Sequence, residues 1–323
     1  MFSTTWMPES PLSALQQRAF LYQKIRRFFL DKKVLEVETP VLSSFANTDT
    51  QIDVFQTQAI NADSERAFLR TSPEFFHKRL LASGSGDIFE IAKVFRLGEQ
   101  SSLHNPEFAM LEWYRLGFDL SALMNEVAEL VLMLFSAFQL PVLPVKHQSY
   151  AQLFESNLKI NPFGIALDKL NDLCRIHGFH GVNLERDAAL DFLFAVVIEP
   201  ALPKGELLFV SNFPASQAAL AQINPEDEST CLRFELLWQG VELANGYQEL
   251  TDAKEQLERF EADNLWREVN GKLSMPIDHN LIDAMRVGLP KCSGVAIGLD
   301  RLLMQLTKAK KISSVLSFPA NKA

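Results

Sequence analysis

The feature that most constrains this chain is a succession of strand-like segments with no crossover helix between them. Ile88 to Phe95 and Glu107 to Tyr114 read as two strands joined by a polar loop from Leu97 to Asn105. Further on, Arg233 to Leu250 reads as two strands broken only by Gln239-Gly240, the kind of two-residue loop that closes a tight hairpin. Parallel strands need a long crossover, so directly joined strands predict antiparallel pairing. Helical patterns flank them. Leu12, Leu15, Ala19, Tyr22, Ile25 and Phe29 recur at helical spacing, which predicts a helix over about 12–32. Another is predicted to Leu81, with Ser72 as N-cap and Pro73 in the first turn. Further helices are expected over Leu120–Phe138, Ala253–Asn270 and Arg301–Lys308, and strands over Val34–Pro40, Ala67–Thr71, Leu207–Asn212 and Gly294–Leu299. The expected fold class is α+β, an antiparallel sheet flanked by helices. A single domain over 1–323 is expected, with a connecting segment at about 141–204 that is weakly periodic apart from a helical stretch at Asp187–Val197.

Composition narrows the function classes. With 323 residues, 47% hydrophobic and 22% charged, the chain can bury a large core and reads as an ordinary globular protein. The most apolar stretch, Glu129 to Leu140, is short and amphipathic, so a core helix is expected and no membrane span. Met1 to Pro11 carries acid and proline where a secretory signal has a basic and then an apolar region. Cys174, Cys231 and Cys292 lie too far apart for a zinc knuckle and suit a reducing, cytoplasmic setting. His177 and His180 have no second ligand pair. The net charge of −9 argues against a nucleic-acid partner, whose affinity rests largely on phosphate neutralisation. The local exception is the first helix, where Arg18, Lys24, Arg26, Arg27, Lys32 and Lys33 face one acid, Asp31. That is either a solvated face or a docking surface for an acidic partner.

Three segments carry chemistry. In the first, Arg96 leaves a strand and Phe108 enters the next across the polar loop. A planar donor fork for phosphate and an aromatic face for a purine would suit a nucleotide. In the second, the Gln239-Gly240 loop pairs Trp238 with Val241 and Leu237 with Glu242, which makes Glu235 and Glu242 diagonal neighbours. Two carboxylates so close want a cation between them, and Mg2+ carrying ATP phosphates is the natural candidate. Exposed strand carboxylates paired with lysines are the alternative. Glu249 has the opposite parity, which a bulge at Asn245-Gly246 would correct. In the third, the small residues of Ser293 to Leu299 permit close approach of a ligand, and Arg301 follows at a helix start. This segment matches neither the dinucleotide fingerprint nor a P-loop.

Taken in order, these segments resemble the three motifs of the class II aminoacyl-tRNA synthetases, and more closely those of the lysyl branch. Leu35 to Pro40 resembles the first motif, Phe95-Arg96 through Phe108 the second, and Gly294 to Arg301 the third. Thr71-Ser72-Pro73-Glu74, Val241 to Gly246 and Val315 to Ala320 fit the lysyl branch as well. Three departures stand out. The chain begins at the catalytic domain, leaving no room for the OB-fold anticodon-binding domain of that branch. Ala296 stands where lysyl-tRNA synthetases have glycine, a change worth about 1–3 kcal/mol between close substrate analogues. Gly98 occupies the usual glutamate place of the second motif, and Glu99 follows it.

These departures together resemble the family of elongation factor P–(R)-β-lysine ligases, lysyl-tRNA synthetase paralogues that modify a translation factor. The resemblance implies a cytoplasmic homodimer acting on ATP, Mg2+, (R)-β-lysine and elongation factor P, with no tRNA. It implies that Arg96, Asn105 and Arg301 hold ATP, with charge stabilisation by Arg96 and Arg301. Phe108 would stack on adenine, with Gly98 or Glu99 beside the base and Glu242, Leu243 and Gly298 lining the same site. Glu235 and Glu242 would hold magnesium. Ser72, Pro73, Glu74, Tyr114, Glu249 and Ala296 would surround the amino acid, with Glu249 facing its ε-ammonium and Glu74 its nearer amine. A truncated lysyl-tRNA synthetase-like enzyme activating α-lysine for tRNA or another acceptor is the alternative.

Overall fold

The strongly periodic segments fold as expected, while several shorter helices and strands carry no comparable signal. The computed structural model describes residues 6–58 and 66–323; the first five residues of the stretch read against a secretory signal lie outside them. The expected first helix is present as Leu12–Asp31 and buries Ala14, Leu21, Ile25, Phe28 and Phe29. Its anchor is Phe29, stacked on Phe89 with ring centroids 4.4 Å apart and set edge-on to Trp113 at 5.3 Å. Truncating so buried a phenylalanine costs about 3–5 kcal/mol.

The chain divides into two compact units, Met1–Asp119 with Glu129–Val142 and Thr251–Ala323, and Leu120–Ala128 with Leu143–Leu250. In the first unit, strands lie side by side in the order Leu35–Glu36, Ile88–Phe95, Glu107–Leu116 and Cys292–Gly298. The two strands around the polar loop pair antiparallel over their whole length, from Ile88 opposite Tyr114 to Phe95 opposite Glu107. Cys292–Gly298 then pairs antiparallel with Glu107–Leu116, which sets Ala296 opposite Glu112 and Gly298 opposite Met110. A separate sheet orders Leu42–Ser43, Arg66–Leu69 and Gln56–Gln58. In the second unit the order is Val241–Gln248, Thr230–Trp238, Leu207–Pro214 and Val145–Ser149.

The fold class is α+β, but the pairing is mixed where a purely antiparallel sheet was expected. Leu35–Glu36 runs parallel to Ile88–Phe95, and Val145–Ser149 runs parallel to Leu207–Pro214. Both reach their neighbours through long stretches that contain helices, the connection parallel strands require. The expected strand at Val34–Pro40 is also shortened to Leu35–Glu36.

Residues 143–204 of the expected connecting segment hold more structure than their periodicity suggested. Besides the helix Arg186–Leu193, which continues as a π turn over Phe194–Ile198, there are helices at Tyr150–Leu158 and Leu167–Ile176. A start signal for the first of these lies in the sequence. Ser149 and Gln152 form a capping box, each satisfying the other's backbone N–H. A further helix, His279–Gly288, begins at the Asp278 cap. Leu120–Ala137, at 18 residues and mean hydropathy 1.5, is long and apolar enough to cross a bilayer, contrary to the expectation that no such run exists. Leu123, Val127, Leu130, Val131, Leu134 and Phe135 on it are fully buried, as in a core helix.

The basic face of the first helix is answered locally. Arg26 pairs with Glu36 at 2.9 Å, Arg27 with Asp31 at 2.9 Å and Lys32 with Glu129 at 2.8 Å. Exposed pairs of this kind contribute about 0–1 kcal/mol each, in keeping with a solvated face.

Candidate active site

In the first unit the predicted residues form two adjoining groups. One is built at the end of the Ile88–Phe95 strand. The Arg96 N–H donates to the Pro106 carbonyl at 2.9 Å, which closes the polar loop. The Arg96 guanidinium lies 5.3 Å from the Phe108 ring centroid and 3.5 Å from Glu99 Oε1. Gly98 has φ +84°, a left-handed conformation that L side chains adopt only with strain, and open space where a Cβ would stand. Backbone conformation therefore explains glycine at this position, and the nearest following carboxylate is that of Glu99. Asn105 donates to the Glu107 carbonyl at 2.6 Å and accepts from the Ala320 N–H at 3.0 Å, so its amide ties the loop to the C-terminal segment.

Phe108 packs with Ala92, Val94, Met110 and Ala296. Arg301 lies in the first turn of Leu299–Leu306, and a Cβ on Gly298 would come within 3.3 Å of its Nε. Gly298 thus leaves room for the arginine to lie along the backbone. Asp300 braces this corner by accepting from the Ala109 N–H at 2.7 Å and from Arg18.

The second group surrounds Ser72. The helix runs Glu74–Ala82 with Pro73, not Ser72, as N-cap. Ser72 Oγ accepts from the Glu74 N–H at 3.0 Å and donates to Glu112 Oε2 at 2.8 Å. That hydroxyl still satisfies the first free N–H of the helix, as a cap does. Tyr114 donates to Glu112 Oε1 at 2.9 Å. Ala296 stands directly across the strands from Glu112. Glu74 is held 2.7 Å from the buried Lys78. Burial pushes the Glu74 carboxyl above the usual range, Lys78 pulls it down and Glu112 adds to the rise. Ser72 and Glu74 also line a partly open pocket with Ser43, Asn47, Phe75 and Asp278.

Beneath Glu112 lies His77, fully buried. Its Nε2 is 2.9 Å from Glu90 Oε2 and its Nδ1 is 3.4 Å from Glu112 Oε1. Burial works against the imidazolium, but the two carboxylates outweigh it and hold its pKa above the ordinary histidine value. Burial likewise works against the charge on Glu90, yet His77, Thr39 and Arg70 hold its carboxyl below the usual range. Arg70 donates to Glu90 at 2.8 Å and to Thr39 Oγ1 at 2.6 Å.

In the second unit, the predicted hairpin is present with its predicted register at the loop. Trp238 pairs with Val241 and Leu237 with Glu242. Gln239 at φ +55° and Gly240 at φ +75° supply the two left-handed residues of the loop. The strand carries its bulge at Leu243, between Glu242 and Ala244, rather than at Asn245-Gly246. The extra residue shifts parity earlier than expected, and Asn245 rather than Ala244 stands opposite Glu235. Glu249, two and four residues beyond Tyr247 and Asn245, takes the parity of Glu235, and it is buried beside Ala221.

Glu235 accepts from Arg233 at 2.6 Å. Its carboxyl is pushed up to about 7, chiefly by burial; Arg233 opposes this, and Glu242 and Glu199 add to it. Arg233 itself rests over the Phe213 ring at 4.5 Å. A site with more carboxylate than cation, where one acid keeps its proton near neutrality, fits a divalent ion that would displace that proton. Among the described residues no cluster of three or more histidine, cysteine, aspartate and glutamate side chains has the arrangement of a metal site, so the fit is that of an ion needing only one or two carboxylates.

The sequence reading missed Glu112, His77, Glu90 and Arg233. Glu112 had a signal: it lies two residues before Tyr114 and so on the same strand face. His77 and Glu90 had none, since they meet only when helix and strand pack.

The family model of class II tRNA synthetases (D, K and N) matches residues 5–322. The chain belongs to this family. It is 45% identical over 322 residues to the elongation factor P–(R)-β-lysine ligase of Mannheimia succiniciproducens, covering 98% of each chain. It is 43% identical over 327 residues to the enzymes of that name from Photorhabdus laumondii and Yersinia enterocolitica, covering 99% of each chain.

Proposed function

We propose that this class II synthetase family member is a ligase that activates (R)-β-lysine with ATP and transfers it to a lysine of elongation factor P. The observation that carries the reading is identity of 45% over 98% of both chains with a ligase of that name. The acid-lined group of Ser72, Glu74, Glu112 and Tyr114, with Ala296 opposite Glu112, supports it, since a diamino acid needs carboxylates and hydroxyl acceptors.

In the first step a carboxylate oxygen of the amino acid attacks the α-phosphorus of ATP, forming the acyl-phosphate bond and releasing pyrophosphate. In the second, a lysine ε-amine attacks the acyl carbonyl, forms the amide, releases AMP and gives up a proton. Arg96 and Arg301 hold phosphate oxygens and answer their developing charge, and Phe108 stacks on adenine beside Glu99. Asn105, Gly98, Leu243 and Gly298 shape the nucleotide site. Ser72, Pro73, Glu74, Tyr114, Glu249 and Ala296 surround the amino acid and hold its carboxylate in line. Glu235 and Glu242 would hold Mg2+, which supplies charge neutralisation to the phosphates when bound. The working form is a cytoplasmic homodimer whose acceptor is protein and not tRNA.

Incubation with ATP, Mg2+, labelled (R)-β-lysine and elongation factor P should place label on the factor. Preferential charging of lysine tRNA with α-lysine would replace this reading with the truncated lysyl-tRNA synthetase-like alternative.

A further inference from the structure

Ser72 and Tyr114 each carry one hydroxyl hydrogen, and both are spent on the same carboxylate, Glu112. Neither hydroxyl then has a hydrogen left to point at the pocket. Although Ser72 Oγ also accepts from the Glu74 N–H, an incoming ammonium meets oxygen lone pairs and no competing donor. The arrangement works only while Glu112 accepts twice and keeps its plane. What fixes that plane comes from behind. His77 is 0% exposed and has one ring nitrogen toward Glu112 and the other toward Glu90. With carboxylate oxygens at 2.9 Å and 3.4 Å from its two nitrogens, the ring is favoured as the imidazolium, because a neutral imidazole would present a lone pair to one of them.

The charges behind the pocket are balanced. Arg70, His77 and Lys78 face Glu74, Glu90 and Glu112, and every one of the six is buried or nearly so. The helix packed alongside adds Asp278, which faces Arg79 at 3.8 Å. Removing His77 leaves Glu90 anchored by Arg70 and Thr39. Glu112 then loses its buried cation and is held by the two pocket hydroxyls alone.

We propose that His77 is a positioning residue for amino-acid binding: it clamps Glu112 against Glu90 so that Ser72 and Tyr114 present acceptors to the substrate amine. His77 touches neither nucleotide nor reacting atoms in this scheme, so its effect falls on one substrate. The proposal rests on the amino-acid pocket assigned above.

The test is ATP–pyrophosphate exchange driven by (R)-β-lysine, comparing wild type with His77→Gln. The amino-acid KM should rise about tenfold or more, the cost of misorienting hydrogen bonds to a charged group. The kcat and the KM for ATP should stay within about twofold. Ser72→Ala should raise the KM less on His77→Gln than on wild type, because His77 acts on Ser72 through Glu112. An unchanged amino-acid KM overturns the proposal. So does a joint loss of kcat, ATP binding and thermal stability, which marks a merely structural histidine. If His77→Gln does not fold, Glu90→Gln keeps its side-chain shape, removes the charge facing the same ring, and is read by the same criteria. Glu74→Gln separates the two levels of inference. If it too leaves the amino-acid KM unchanged, the pocket assignment fails; if it alone raises that KM, only the role of His77 fails.

Discussion

Two buried charge clusters in this molecule are built on opposite principles. Around His77, three cations meet three carboxylates, and Glu90 is held below the usual carboxylate range. Around Glu235, one arginine meets Glu235, Glu242 and Glu199, and the Glu235 carboxyl is pushed up to about 7. The first matches cations to carboxylates within the protein, although burial and Glu112 still push the Glu74 carboxyl above its usual range. The second is short of positive charge, and under the function proposed above Mg2+ would complete it. Balanced burial preorganises a site for the part of a substrate that must be recognised, whereas an imbalance of charge stores affinity for an ion.

The largest expected effect breaks the second cluster. Glu235→Gln combined with Glu242→Gln should lower ATP–pyrophosphate exchange by about 10²–10³-fold at any magnesium concentration, the scale of losing one preorganised electrostatic contact. Near-normal exchange would show that the imbalance of charge serves no ion. Next comes the first cluster. Glu74→Gln should raise the amino-acid KM by about 10–100-fold and leave the KM for ATP alone, as measured by initial rates, because a charge-assisted hydrogen bond is worth about 1.5–3 kcal/mol.

A third expectation concerns pH. Glu235 holds its proton to about 7 in the native protein against 4.5 ordinarily, so between those values the native state binds more protons than the unfolded one. Stability of the metal-free protein should therefore fall as pH rises from 4.5 through about 7. Saturating Mg2+ or Glu235→Gln should flatten that slope in thermal unfolding. A slope unaffected by either would separate the raised carboxyl from ion binding. The smallest effect belongs to the wall shared with Glu112: Ala296→Gly should shift preference toward α-lysine by about tenfold, the value of one methyl group in a pocket.

Much of the site was legible from local rules. The Gln239-Gly240 loop set the hairpin register that makes Glu235 and Glu242 neighbours, because a two-residue loop leaves only one pairing. Arg96, Phe108 and Arg301 were placed by strand ends and a helix start. The bulge was foreseen in kind and misplaced in position, at Leu243 instead of Asn245-Gly246. Parity demands one extra residue somewhere between Glu242 and Glu249, and local sequence does not say where.

What the sequence determined by itself was the first helix, the central antiparallel strands, the hairpin register and the family motifs. All of these depend on near neighbours in the chain and on periods of two or 3.6 residues. Only the tertiary structure decided that the edge strands run parallel and that the Ser72 hydroxyl donates to Glu112 while accepting from the helix start. The same holds for His77, which meets Glu90 and Glu112 across a helix and two strands. Buried charge is settled by which groups packing brings within reach, and no local period in the chain encodes that.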